Sequence, residues 1–291
     1  MAELLIDPQG LASLLPDSSL LLLDVRYDLF DHGAGPAAYR QGHIPGAVFV
    51  DLEGVLSGQK TGRNGRHPLP DIGAFAQSMG HLGLKSTTRV VVYDAGNSMA
   101  ATRLWWMLRW IGHESVRILD GGWSAWLAAG GSQVTQPLRY ADPVRGLAVS
   151  QDYTRIQPCM PAFTVDFIEH HLDDARWRLL DARSAERYRG ETEPIDPVAG
   201  HIPGALNWPN PLNLAPDSRF RAADELRADY LRLLDGHPPE SVIHQCGSGI
   251  SACHNLFAME LAGLTGSGLY VGSWSEWCSD PARPVAVGAS V

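Results

Sequence analysis

Three segments of this chain occur twice, in the same order and at nearly constant spacing. LLLLDVRYD, around Asp24, returns as RLLDARSAE around Asp181, 157 residues later. YRQGHIPGAVF, around His43, returns as VAGHIPGALNW around His201 after 158 residues, and RILDGGWSAW, with Trp123, returns as LYVGSWSEW, with Trp274, after 151. Self-similarity at a fixed offset marks repetition of a folding unit. With 291 residues to divide, two units of ordinary domain size follow. The expected boundaries are an N-terminal domain over 1–140, a linker over 141–162 and a second domain over 163–291.

Each copy alternates short apolar runs with helical patterns. LLLLDV and WRLLDA are bounded by turn residues and suit buried strands of a parallel sheet. RVVVYD and SVIHQ read as second strands, each followed by a helix. Leu104, Trp105, Leu108 and Ile111 share one face of the first helix; Leu256, Phe257, Leu261 and Leu264 share one face of the second. Strand and helix in alternation predict an α/β fold, a mainly parallel sheet flanked by helices, in each copy. The join, QPLRYADPVRGLAVSQDYTRIQPCMPAF, is rich in Pro, Gly and polar residues and reads as a surface linker.

A formal charge of -9 argues against nucleic acid, whose phosphates call for clustered Lys and Arg. No stretch approaches the roughly 18 uninterrupted apolar residues of a membrane span, and Glu3 stands where a signal peptide carries basic residues. Cys159, Cys246, Cys253 and Cys278 form no CxxC pair and no Cys/His cluster with zinc spacing, so no metal or other cofactor is implied. Four scattered thiols in a chain of this size point to a reducing compartment, and the cytoplasm is the expected location.

The chemistry concentrates in HQCGSGISACH, His244 to His254. Ligands of open parallel sheets sit outside the carboxyl ends of the strands. SVIHQ ends at Cys246 and a helix is predicted to start near Ser251. Gly247 and Gly249 let the intervening chain curl with its N–H groups inward, a geometry that binds anions. The helix start adds partial positive charge, and both effects favour thiolate over thiol at Cys246. Cys253 joins the Leu256/Phe257/Leu261 stripe and reads as core; Cys159 and Cys278 lack flanking glycines and a following helix. A cysteine phosphatase needs arginine six positions after its nucleophile, where this chain has Ala252. The loop offers neutral donors only, which suits a small singly charged group such as a thiolate or persulfide. His244, two residues back in the same strand, is expected to face away from the thiol, which argues against papain-like hydrolysis. In the first copy Asp94 falls opposite Cys246, or Ala95 after a one-residue shift, and no thiol is present. His43 and His201 occupy the same place in both copies and read as turn residues rather than metal ligands.

With these residues in view, the chain resembles the 3-mercaptopyruvate sulfurtransferases, two-domain members of the rhodanese superfamily. CGSGISA is similar to their CGSGVTA-type loop, and the likeness extends over both HIPGA segments, VVYD, RLWWMLR, DGGW and GSWSEW. Thiosulfate-preferring rhodaneses carry basic residues after the cysteine (CRKGVTA); here Gly247, Ser248 and Gly249 are uncharged. The resemblance implies two tandem rhodanese-like domains, the first without a catalytic cysteine. It implies that Cys246 takes sulfur from 3-mercaptopyruvate as a persulfide, releasing pyruvate, and passes it to an acceptor thiol, thioredoxin or cyanide. Loop residues Gly247, Ser248, Gly249, Ile250 and Ser251 would hold the charge with their amides. Ser248, His67 and Glu53 would relay protons, with His67 coming from the first copy. Arg187 would bind the donor's carboxylate; the family's second arginine falls at Ile195. Arg103 reads as structural. The alternatives are a thiosulfate:cyanide sulfurtransferase and a non-catalytic persulfide carrier or sensor.

Overall fold

The computed structural model describes residues 3–136 and 156–289. The described residues fall into two units. One gathers those within Met1–Gly58, Pro70–Cys159 and Asp217–Arg219; the other, those within Gln59–Leu69, Met160–Pro216 and Phe220–Val291. Residues 141–155 of the expected linker lie outside the described residues.

The first unit runs β1 (Leu5–Ile6), α1 (Pro8–Leu14), β2 (Leu20–Asp24), α2 (Ala34–Gln41), β3 (Ala47–Phe49), α3 (Ile72–His81), β4 (Arg89–Tyr93), α4 (Met99–Trp110), β5 (Val116–Leu119) and α5 (Gly122–Ala128). The second repeats the plan: β6 (Ala162–Phe163), α6 (Val165–His170), β7 (Arg178–Asp181), α7 (Ala185–Tyr188), β8 (Leu206–Asn207), α8 (Ala223–Leu234), β9 (Val242–Gln245), α9 (Ser251–Leu261), β10 (Gly268–Tyr270) and α10 (Ser273–Trp277). A 3-10 turn, Asn210–Asn213, precedes α8. The sheets have the orders β1-β5-β4-β2-β3 and β6-β10-β9-β7-β8, and their strand pairs are parallel. The two orders are the same order, so the duplicated sequence is a duplicated topology.

Burial explains the apolar runs. All of β2 and all of β9 are buried, and β4 is buried after Arg89, as parallel strands covered on both faces should be. A fully buried Leu or Val side chain contributes about 1.5–3 kcal/mol relative to exposure. Helix starts are capped as their residues predict: Asp7 accepts from Gly10 N at 2.7 Å and Asp71 from Ala74 N at 2.9 Å. The helices after the second strands depart from the expected single apolar face. In α4, Ala100 to Leu108 are buried without interruption, and in α9, Ala252 to Met259. Their polar positions are buried with partners of their own. Arg103 Nη2 reaches Leu56 O at 3.4 Å. Asn213 Nδ2 meets His254 Nδ1 at 3.1 Å and donates to Asn255 Oδ1 at 2.8 Å.

The repeated motifs perform repeated tasks. In HIPGA the proline leads a turn closed by Ala47 N to Ile44 O at 2.9 Å and by Ala205 N to Ile202 O at 3.1 Å. Gly46 (φ 84°) and Gly204 (φ 78°) take the left-handed position that a type II turn requires. His43 stacks on Tyr39 and bonds its carbonyl; His201 does the same with Tyr188, both at 3.8 Å between ring centres. In LDVR and LDAR the arginine clasps the aspartate, Arg26 to Asp24 and Arg183 to Asp181, each with an Nη2–O distance of 2.6 Å. Each guanidinium lies 4.8 Å over a repeated tryptophan, Trp123 or Trp274.

Candidate active site

Cys246 is the first residue after β9, and its backbone is fixed by the segment that starts α10. Cys246 N donates to Ser273 Oγ at 3.2 Å, and Ser273 Oγ donates to Tyr270 O at 2.9 Å. Trp274 N donates to Cys246 O at 2.9 Å and Ser275 N to Gly247 O at 3.0 Å. The loop then curls back over its own thiol. Gly249, with φ 80°, turns its N–H onto Cys246 Sγ at 3.1 Å, and Ser248 N lies 3.4 Å from the same sulfur. Two of the amides expected to face the thiol therefore do, while Ile250 caps α9 and Ser251 opens it. Cys246 is 2% exposed, so a charge on its sulfur is held by aimed dipoles rather than by bulk water, where such donors act most strongly.

The segment 59–69 belongs to the first copy in sequence, as expected for His67, but packs in the same unit as Cys246. Gly65 (φ 81°) approaches so closely that a Cβ there would stand 2.7 Å from Gly272 O, and Arg66 N donates to Ser275 Oγ at 3.0 Å. These contacts deliver His67 Nδ1 to Ser248 Oγ at 2.8 Å, with both residues buried. Cys246, Ser248 and His67 thus form one connected group. Glu53 belongs to the first unit. There it accepts from Tyr27 OH at 2.8 Å and lies 3.6 Å from His32 Nε2.

Arg187 lies in the last turn of α7 and donates to Glu193 Oε1 at 2.7 Å and Asp196 Oδ2 at 3.3 Å. Arg66 Nη1 donates to the other oxygen of Asp196. Burial pushes Asp196 above its ordinary value despite the arginines beside it. Burial pushes Glu193 the same way, but its bonds from Arg187 and from the amides of Asp196 and Ile195 outweigh that, and its carboxyl sits below the usual range. Ile195, at the place of an expected arginine, contributes only its N–H, to Glu193 Oε1 at 3.1 Å. Arg66, Glu193 and Asp196 escaped the sequence reading; the signal available was Arg66 lying next to His67 and two acids following Arg187.

The remaining thiols differ from Cys246. Cys253 donates to Gly249 O at 3.2 Å from inside α9. Burial raises Cys278 to about 11, so it stays protonated, and Cys159 is exposed. His244 is buried with Nε2 3.2 Å from Ser267 Oγ. No group of three or more His, Cys, Asp or Glu able to hold a metal occurs among the described residues, and no described helix is long and apolar enough to cross a membrane.

Comparison with known proteins agrees with this geometry. A "Probable 3-mercaptopyruvate sulfurtransferase" of Pseudomonas aeruginosa is 43% identical over 98% of this chain and 98% of its own. A "Putative thiosulfate sulfurtransferase" of Mycobacterium tuberculosis is 41% identical over 92% of this chain and 91% of its own. Among solved structures, the 3-mercaptopyruvate sulfurtransferase from Leishmania major superposes with a TM-score of 0.82 at 28% identity, over 94% of this chain and 74% of that one. The family model described as "Rhodanese-like domain" matches residues 7–129 and again 164–280. With most of its length matched by that domain in two copies, the chain belongs to the rhodanese family.

Proposed function

We propose that the chain is a sulfurtransferase that moves the sulfur of 3-mercaptopyruvate through a persulfide on Cys246. The observation that carries this reading is the pair of amides, Ser248 N and Gly249 N, aimed at a buried sulfur by a loop with no charged side chain. Such a cradle favours one negative charge, that of a thiolate or of a persulfide. The Cys246 thiolate attacks the donor's sulfur and the S–S bond forms as the C–S bond breaks. The electron pair of that bond leaves on carbon as the enolate of pyruvate, which takes up one proton. Cysteine sulfur is oxidised to the persulfide level and the carbon is reduced by the same two electrons. Ser248 and His67, hydrogen-bonded at 2.8 Å, are suited to hand over that proton, and Glu53 is the acid we assign to the far end of the relay. An acceptor thiol, reduced thioredoxin or cyanide then attacks the outer sulfur and restores the thiolate. Splitting the transfer over a covalent intermediate calls for ping-pong kinetics.

Arg187, beside Gly247, is the residue we assign to the donor's carboxylate. A thiosulfate reading has less support, because Gly247 carries no side chain where a basic residue would meet a dianion. Incubation with 3-mercaptopyruvate followed by mass spectrometry should show a gain of one sulfur on the Cys246 peptide, absent in C246S. A full transfer rate in C246S defeats the proposal, and a strong preference for thiosulfate over 3-mercaptopyruvate replaces it with the thiosulfate reading.

A further inference from the structure

The space over Gly247 is occupied by two guanidinium groups. A Cβ built on Gly247 would lie 2.7 Å from Arg66 Nη2, 3.6 Å from Arg187 Nη2 and 3.8 Å from Arg187 Nη1. Gly247 immediately follows the nucleophile, so both cations stand at the mouth of the loop. Their arrangement is layered. The side chains of Arg66 and Arg187 are 25% and 18% exposed, whereas those of Asp196 and Glu193, beneath them, are 4% and 3%. Asp196 ties the layers together, taking Arg66 on one oxygen and Arg187 on the other. An anion arriving from solvent meets the arginines first, already held side by side by the acids under them. Arg66 Nε is buried and has no partner among the described residues.

Two arginines against two carboxylates carry no net charge, so an incoming anion is drawn by the N–H groups that the more exposed guanidinium groups present. The planar guanidinium fork matches a carboxylate, which it can engage with two parallel N–H···O bonds. The residue that would close this clamp from position 195 is an isoleucine whose only contribution is a backbone N–H. Arg66 comes instead from the segment that delivers His67, and its guanidinium lies over Gly247, where a Cβ would push it aside.

We propose that Arg66 is a specificity-determining residue of this site, receiving with Arg187 the planar carboxylate of the sulfur donor above Gly247. The inference rests on the donor reading given above. It also makes Arg66 and Gly247 a matched pair: the cation reaches the donor from the 59–69 segment because the loop residue after the nucleophile has none.

The test uses the full chain and two donors, 3-mercaptopyruvate and 1-mercaptopropan-2-one, in which methyl replaces the carboxylate. R66A and R66Q should raise KM for 3-mercaptopyruvate about 10- to 100-fold, the loss expected for a charged hydrogen bond. Their kcat should change little, R66K should recover part of the loss, and kcat/KM for mercaptopropanone should stay at the wild-type value. An unchanged KM in both neutral variants overturns the proposal. So does equal slowing of both donors, which would make Arg66 only a support for His67. Failure of the wild type to form a persulfide from 3-mercaptopyruvate removes the donor reading itself, and is seen before any variant is made.

Discussion

Asp94 in the first unit and Cys246 in the second hold the same position in the fold. Trp123 N donates to Asp94 O at 2.8 Å as Trp274 N donates to Cys246 O at 2.9 Å. The following residues match as well, Ser124 N to Ala95 O at 3.2 Å and Ser275 N to Gly247 O at 3.0 Å. Where the second unit turns amides onto a thiol, the first turns them onto a carboxylate: Asp94 accepts from the amides of Gly96, Ser98, Ala100 and Ala101 at 3.0 to 3.2 Å. The first loop fills its own anion cradle.

That filling makes Asp94 a stability residue. Burial pushes its carboxyl above the ordinary range, against the pull of the four amides. In D94N one acceptor becomes an NH2 group facing N–H donors, and buried amides lose their partner. The expected loss is about 2–4 kcal/mol, read as a lower denaturation midpoint of the first unit in a urea titration.

Gly249 combines a left-handed backbone with the shortest amide contact to the thiol, φ 80° and 3.1 Å. An alanine there is strained by about 1–2 kcal/mol and relieves the strain by rotating its N–H away from the sulfur. G249A should lower the rate of persulfide formation about a hundredfold, as for loss of one preorganised donor. Stopped-flow measurement of the first turnover checks this.

His67 and Ser248 act as a unit in the proposed relay. H67A and S248A should each reduce kcat about a hundredfold, the lower end for loss of a positioned proton donor. The double variant should be little worse than either one, since residues of one hydrogen-bonded group are not additive. Steady-state kinetics of the three proteins gives the answer; fully multiplicative losses would separate the two residues.

His244 should show itself in acid. Burial lowers it from 6.5 to about 3, so the fold holds the neutral ring while the unfolded chain binds a proton below 6.5. The stability it contributes is complete above 6.5 and is lost as pH falls from there toward 3. H244Q, which carries no titrating ring, should lose less stability than the wild type between pH 7 and pH 4, measured by denaturant titration at each pH.

Much of this architecture is legible in the chain. LLLLD and VIHQ read as buried strands because parallel strands are apolar on both faces, and HIPGA reads as a turn because only its glycine accepts the left-handed position. Cys246 stands out because strand end, glycines and helix start coincide within a few residues. What was not legible is what depends on distant contacts. Nothing local shows that Arg66, far away in sequence, stands over Gly247, or that residues 59–69 join the second unit. The register of Asp94 against Cys246 stayed open by one residue, since side chains as unlike as Asp and Cys give no match; backbone hydrogen bonds decide it. The buried polar faces of α4 and α9 were hidden for the same reason, their partners Leu56 and Asn213 being remote along the chain.

The attachment of residues 59–69 to the second unit bears on the order in which a ribosome delivers the chain. His67 and Arg66 emerge long before their anchors at Gly272 and Ser275. The proposed catalytic group therefore cannot assemble until Ser275 has left the ribosome. The same circumstance governs dissection of the protein. A fragment starting at residue 160 would keep the cysteine, its loop and Arg187, but would leave behind both the histidine and the arginine that stand over them.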